Sequence, residues 1–277
     1  MNWKLYNVSI PVKDLEESKN FYQMIAGECN TNDQTHRELF DNPNGYFWGT
    51  SGFGFRIFKP KYDLQLKNEI QSRRSYLTIL VDNIIDIKNN LTENNYDFIY
   101  KETNNFKTIL VQEPSLNLIL FAENPTIFSM DIDAYDMNLS WGLHHMNLES
   151  LDVRETVQFF CEMVGLEEGR WVAPLKMGNF SIDPDQLSVF PVSNDNRGLH
   201  IIKPDDGFGH RNNFPHNPSI AGHPAFTVSD IFSVMENLSA KNILFSDAKV
   251  YAMPGFHQIY FYDINANMLE VNQAVSQ

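Results

Sequence analysis

Basic residues are scarce in this chain: 21 Lys and Arg stand against 35 Asp and Glu, a formal charge of −14 at pH 7. Nucleic acids and anionic membranes both demand clustered positive charge, so neither is an expected partner. Cysteine is scarcer still. Cys29 and Cys161 each read as following the first helix of their half of the chain, and two thiols make neither a disulfide framework nor a thiolate metal site. No run of about 18 apolar residues occurs, and the opening Met-Asn-Trp-Lys-Leu-Tyr enters a strand pattern without an apolar leader. No low-complexity tract is present. These absences leave a reduced, cytoplasmic protein as the expectation. What is plentiful is apolar surface: 43% of the 277 residues are hydrophobic, 21 of them Phe, enough for an ordered core in one duplicated domain or two medium ones.

Duplication is what the pattern shows. Asn7-Val-Ser-Ile-Pro-Val-Lys-Asp14-Leu-Glu-Glu17, running through Phe21-Tyr22 to Gly27, returns as His145-Met-Asn-Leu-Glu-Ser-Leu-Asp152-Val-Arg-Glu155, through Phe159-Phe160 to Gly165. Asn7 to His145, Asp14 to Asp152 and Gly27 to Gly165 are each displaced by 138 positions. Each copy opens with an alternating strand, in which Val8, Ile10 and Val12 face one way and Asn7 and Ser9 the other. A helix follows, capped by Asp14 or Asp152 with Glu17 or Glu155 at the capping-box spacing, and ended by Gly27 or Gly165 in a left-handed turn. Further strand patterns cover 46–58 and 187–202.

The second half of each copy repeats this plan. Ser75-Tyr-Leu-Thr-Ile-Leu-Val-Asp82 aligns with His223-Pro-Ala-Phe-Thr-Val-Ser-Asp230, a strand leading to a helix cap, at an offset of 148. On that alignment the C-terminal copy carries about ten extra residues, placed in the Gly-, Pro-, Asn- and His-rich loop 203–222, where His210 and His216 are candidates for the mouth of a site. The organisation expected is α+β: an N-terminal module pair over 1–122, an acidic linker over 123–140, and a C-terminal module pair over 141–277.

Comparing the copies isolates the chemistry. Asn7, Ser75 and Leu120 align with His145, His223 and Glu270, so an amide, a hydroxyl and an isobutyl group give way to two imidazoles and a carboxylate. Two histidines and one carboxylate hold a divalent ion while leaving positions open, as in non-haem Fe(II) oxygenases and some Mn, Ni or Zn sites. Each of the three lies on the strand face opposite its apolar neighbours, so three strands can direct them to one concave surface. The adjacent His144 aligns with Tyr6 and is assigned to the face that packs under the helix. The N-terminal copy, lacking all three ligands, is read as scaffold and as a surface for association; oligomeric state is open.

With these residues in place, the chain resembles the vicinal oxygen chelate superfamily, which includes glyoxalase I, fosfomycin- and bleomycin-resistance proteins and extradiol dioxygenases. The resemblance is carried by His145 ahead of Asp152, His223-Pro-Ala-Phe ahead of Asp230, and Tyr262-Asp263 followed by Asn267-Met-Leu-Glu270. It implies tandem βαβββ modules curled into two half-open mixed-sheet barrels. Ligands confined to the second half are the layout of the type-I extradiol dioxygenases. It further implies a tyrosine ten residues before the ligand glutamate, where Tyr260 stands, and a histidine in the strand before the long loop, where His200 stands. Upstream of that tyrosine, where those enzymes carry another histidine, this chain has Tyr251-Ala252-Met253, and His257 is the nearest substitute. The implied activity is an Fe(II)-dependent dioxygenase acting with O2 on a small catechol-like chelating substrate. In that reading His200 is the acid or base and Tyr260 a hydrogen-bond donor. A non-redox lyase, isomerase or transferase using Mn, Ni or Zn is one alternative, and a metal-free small-molecule binder is another.

Overall fold

The computed structural model describes residues 1–40, 45–60, 74–132, 141–172, 183–251 and 253–275. Residues 133–140 of the expected linker, with Asp133 and Asp136, lie outside these, as does Ala252.

The N-terminal half contributes β1 (Trp3–Pro11), α1 (Leu15–Ala26), α2 (Gln34–Phe40), β2 (Gly45–Thr50), β3 (Phe53–Phe58), β4 (Tyr76–Val81), α3 (Ile84–Glu93), β5 (Phe98–Glu102), β6 (Lys107–Gln112) and β7 (Leu118–Glu123). A short α4 (Pro125–Phe128) follows. The C-terminal half contributes β8 (Gly142–Glu149), α5 (Val153–Gln158), which continues into a π-helical turn over Phe159–Val164, then β9 (Leu187–Pro191) and β10 (Gly198–Ile202). It ends with α6 (Phe208–Arg211), β11 (His223–Thr227), α7 (Ile231–Ala240), β12 (Phe245–Lys249), β13 (Phe256–Tyr262) and β14 (Met268–Ala274).

Two seven-stranded sheets result, ordered β2-β3-β1-β4-β7-β6-β5 and β12-β13-β14-β11-β8-β10-β9. Read from its other end, the second is the first strand for strand. Both are mixed: β1 runs parallel to β3 and β4 to β7, as β8 does to β10 and β11 to β14, and the remaining pairs are antiparallel. Neither sheet closes on itself, so each is a half-open barrel with one apolar and one concave face. The apolar faces and the helices share one core across both copies, in which Phe55 meets Phe226 with ring centres 4.9 Å apart and Trp141 donates its indole N–H to the Ile25 carbonyl. Burial on that scale is the main stabilising term.

The helix caps form where the spacing placed them: Asp14 accepts from the Glu17 N–H over 2.9 Å, Asp152 from the Glu155 N–H over 3.0 Å and Asp230 from the Ser233 N–H over 3.1 Å. Each satisfies a backbone donor that the helix leaves orphaned, for about 1 kcal/mol. Gly165 ends its helix in the left-handed region, at φ 79° and ψ 29°. Gly27 has the same φ with ψ −169°, a different exit. Cys161, expected beyond the helix, lies inside the π-helical turn.

Two expectations need correction. In the fourth strand and third helix, the cap is Asn83, not Asp82; Asp82 instead accepts from the Asn2 backbone. Strand pairing says the same: Ser9 faces Tyr76 where Asn147 faces His223, an offset of 147. The N-terminal counterpart of His223 is therefore Tyr76, one residue beyond Ser75. The second correction concerns the loop. Asn7 pairs with Gly54 and His145 with Gly198, an offset of 144, so most of the extra length precedes β10. The segment 203–222 is only three residues longer than its counterpart 59–75, and is not the main insertion.

The copies dock through matched carboxylates at the ends of β6 and β13. Glu113 accepts from the Thr156 hydroxyl of the other copy, over 2.9 Å, and Asp263 accepts from the Tyr22 hydroxyl, also over 2.9 Å. Thr156 and Ser18 are equivalents at the offset of 138, and Ser18 in turn accepts from Asn265 beside Asp263.

Candidate metal centre

His145 projects from β8, His223 from the start of β11 and Glu270 from β14, three neighbouring strands of one sheet. Register brings them to one point: Ala225 pairs with His145 on one side and with Glu270 on the other. One ligand atom from each lies within 4.8 Å of the other two. His145 Nε2 is 3.4 Å and His223 Nε2 3.7 Å from Glu270 Oε2, and all three residues are at most 2% exposed. Ligands about 2.0–2.2 Å from one ion stand roughly 3–3.6 Å from each other, so the two separations to Glu270 match those around a single divalent cation to within a few tenths of an ångström.

Hydrogen bonds fix which nitrogen each imidazole offers. His223 Nδ1 lies 2.8 Å from the Ala221 carbonyl, an acceptor only, so Nδ1 carries a proton and Nε2 is the nitrogen turned to Glu270. His145 Nδ1 lies 3.0 Å from His144 Nδ1. Were Nε2 of His145 given to a metal ion, its Nδ1 would donate to His144, which would accept as a neutral imidazole. Burial and the neighbouring His145 hold the His144 imidazole well below the usual histidine range, which keeps it neutral. Such partners orient a ligand histidine. This role was missed because strand alternation puts His144 on the far face, whereas pairing passes from Ala225–His145 to Phe226–Leu143 and leaves His144 in a bulge. Burial pushes the Glu270 carboxyl up, but the two histidines outweigh it and hold the group well below the usual carboxylate range, so it is an anion.

The three residues open onto a cavity of about 280 Å³, which His200 and Tyr260 also line. His200, on β10, stacks on the His145 ring at 3.8 Å and takes the Trp171 ring edge-on at 4.7 Å. Its Nε2 lies 2.6 Å from the Asn196 carbonyl, so that nitrogen donates and Nδ1 keeps the lone pair. Burial, then the neighbouring His145, holds it well below the usual histidine range and neutral. Tyr260 pairs with Glu270 across β13 and β14 and meets the His223 ring edge-on at 5.8 Å. Burial and the Glu270 charge push its hydroxyl well above the usual tyrosine range, so it keeps its proton.

The remaining histidines fall outside the cavity wall. His257 pairs with Asp247 over 2.7 Å, His210 is exposed, and His216 is buried against Ser246 and the Tyr262 ring. From the 203–222 loop Lys203, Asp205, Phe208, Pro218 and Ser219 reach the cavity, joined by Tyr251 and Met253 from the β12–β13 connection.

The fold is the two-module fold of the extradiol dioxygenases. No protein-family model matches the chain, and no curated protein sequence does. Solved structures do. A variant of homoprotocatechuate 2,3-dioxygenase from Brevibacterium fuscum superposes with a TM-score of 0.64 at 12% identity, covering 99% of this chain and 72% of that one. The 2,3-dioxygenase LapB from Pseudomonas sp. KL28 gives 0.61 at 14%, covering 99% and 92%. A catechol 2,3-dioxygenase gives 0.58 at 10%, covering 98% and 94%. Among the described residues no helix is long and apolar enough to cross a membrane.

Proposed function

We propose that this protein is a metal-dependent dioxygenase of the extradiol type, using Fe(II) held by His145, His223 and Glu270 to open a small catechol-like substrate with O2. The observation that carries the reading is the convergence of two imidazoles and one carboxylate, all buried, at the floor of a cavity in a fold shared with such enzymes. Three protein ligands leave coordination positions for adjacent substrate oxygens and for dioxygen. Bound iron supplies Lewis acidity and electron exchange with O2.

The chain's own residues do the rest. His200, with Nε2–H committed to Asn196, takes a proton from a substrate hydroxyl at Nδ1 and returns it later. Tyr260, whose proton is retained, donates to a substrate oxygen. Phe208, Tyr251 and Met253 supply the apolar wall against which a planar ring packs and from which water is excluded.

Elemental analysis of protein purified without oxygen, alongside His223→Ala, tests the reading. Near-stoichiometric iron that vanishes in the variant, with one O2 consumed per catechol, supports it. Nickel, manganese or zinc held in the same way, with no O2 uptake, would transfer the site to non-redox chemistry. No specific metal in either protein would leave a binding protein.

A further inference from the structure

Glu270 Oε1 is occupied by two buried amides. Gln258 Nε2 donates to it over 2.9 Å and Asn272 Nδ2 over 3.2 Å. Gln258 is 1% exposed and Asn272 fully buried. The orientation of the Gln258 amide is set independently, because its Oε1 accepts from the Met253 backbone N–H over 3.3 Å and a backbone N–H can only donate. Its NH2 end must therefore face Glu270, and it also reaches the Tyr260 hydroxyl over 3.2 Å. For Asn272 it is the carboxylate that sets the orientation: Glu270 accepts only, so the NH2 end faces it and Oδ1 accepts from the Thr227 hydroxyl. With Oε1 engaged twice, Oε2 is the oxygen turned to His145 and His223.

The N-terminal copy supplies the control. Gln258 pairs with Asn272 and Tyr260 with Glu270 across β13 and β14; at the same places on β6 and β7, Thr108 pairs with Ala122 and Leu110 with Leu120. Where the carboxylate is missing, both amides and the tyrosine are missing too. A purely structural need for buried amides at the sheet would be shared by both copies. It is not.

We propose that Gln258 and Asn272 are positioning residues for the metal, an amide pair that confines Glu270 to one oxygen and thereby keeps a coordination position for substrate. This rests on the metal reading above. Each amide acts through Glu270, as partners of ligand groups do, and losing such a partner lowers metal affinity by roughly 10- to 100-fold.

The test uses Co(II) added to the full-length metal-free chain, read by its visible absorption bands and by competition with a chelator. Gln258→Thr and Asn272→Ala install the residues that the N-terminal copy carries in the same sheet positions. Both variants should bind Co(II) more weakly, by about 10-fold or more for Gln258→Thr and less for Asn272→Ala, and both should shift the bands as the freed oxygen approaches the ion. Thermal unfolding without metal, within a few degrees of the parent, shows that the effect is on the site; should Gln258→Thr not fold, Asn272→Ala decides. Unchanged affinity and bands in both variants would overturn the positioning role while leaving the metal site intact. A parent chain that takes up no Co(II) would overturn the metal reading itself, which is a different result.

Discussion

On the C-terminal concave face, two imidazoles and a carboxylate line an open cavity. On the N-terminal face the corresponding strand positions hold Asn7, Tyr76 and Leu120, and Arg56 stands where His200 does, since Ser9 pairs with Arg56 as Asn147 pairs with His200. Arg56 is 4% exposed, donates from Nε to Ser9 and from Nη2 to Tyr76 over 2.8 Å each, and stacks its guanidinium 3.5 Å from the Phe40 ring centre. No carboxylate among the described residues pairs with it. One face thus presents a carboxylate and two imidazoles to a cation from outside; the other is filled by a cation of its own, bonded to Tyr76 and stacked on Phe40 and Phe58, which pack with Leu118 and Leu120. A duplicated sheet has kept its topology while its concave face was turned to opposite electrostatic ends, by β1, β4 and β7 losing the trio and β3 gaining Arg56.

The largest effect should come from making the two faces alike. Glu270→Leu gives the C-terminal face the residue that Leu120 is in the other, and metal content should fall to background, since two neutral imidazoles keep little hold on a divalent ion. The reverse change, Leu120→Glu, should confer no metal, because Asn7 and Tyr76 still stand in for the histidines and Arg56 would pair with the new carboxylate. Metal captured by Leu120→Glu would mean that the faces differ less than their side chains indicate.

Next in size is the pair His200 and Arg56. If His200 is the proton acceptor proposed above and not a ligand, His200→Gln should lower turnover about 10²- to 10⁴-fold with metal content held, measured by O2 uptake and elemental analysis on one preparation. Loss of metal in step with activity would instead make His200 part of the ligand set. Tyr260→Phe should cost about tenfold in turnover, the worth of one hydrogen bond of roughly 1–1.5 kcal/mol, again with metal retained.

These substitutions also show how far the sequence was legible. The convergence of His145, His223 and Glu270 was, because such a residue must sit on one side of a strand and two copies of one pattern expose what changed. The caps at Asp14, Asp152 and Asp230 were too, because a cap is a local contact between a side chain and a backbone three residues on. Matching Asp82 to Asp230 failed because Asn83 caps as well as an aspartate does, and identity of letter misled by one residue. His144 was hidden by a bulge, which breaks the period of two on which face assignments rest. The amide support of Glu270 depends on which residues of β13 and β14 pair, and pairing register is a property of the folded sheet.

Arg56→Met tests the N-terminal face by itself. A buried charge without a carboxylate partner costs more in lost hydration than its two hydrogen bonds return, and an apolar side chain of similar length fits beside Phe40, Phe58 and Leu120. Stability measured by urea unfolding should be unchanged or higher, by up to roughly 1–2 kcal/mol, with metal content untouched. A clear loss of stability would show that the guanidinium, through its rings and hydroxyls, holds that face together.

The last comparison lies where the two halves meet. Burial pushes the carboxyls of Glu113 and Asp263 above their usual range, and the hydrogen bonds they accept offset this only in part. The folded chain then holds these protons more tightly than the unfolded chain does. Where the folded state binds more protons, stability falls as pH rises, so their contribution is most favourable below the usual carboxylate range and is lost as pH climbs through the raised values. Asp263→Asn removes one of these titrations. It should also lower stability by about 1–3 kcal/mol, because an amide has one oxygen and cannot accept both from Tyr22 and the Asn267 side chain, as Oδ2 does, and from the Asn265 and Asn267 backbone N–H groups, as Oδ1 does. Urea unfolding followed from acid to neutral pH should therefore show a lower curve with a shallower decline for Asp263→Asn than for the parent. Parallel curves would mean that Asp263 is ionised with equal ease in both states, and that the contact between the halves is a hydrogen-bonded joint with no electrostatic cost.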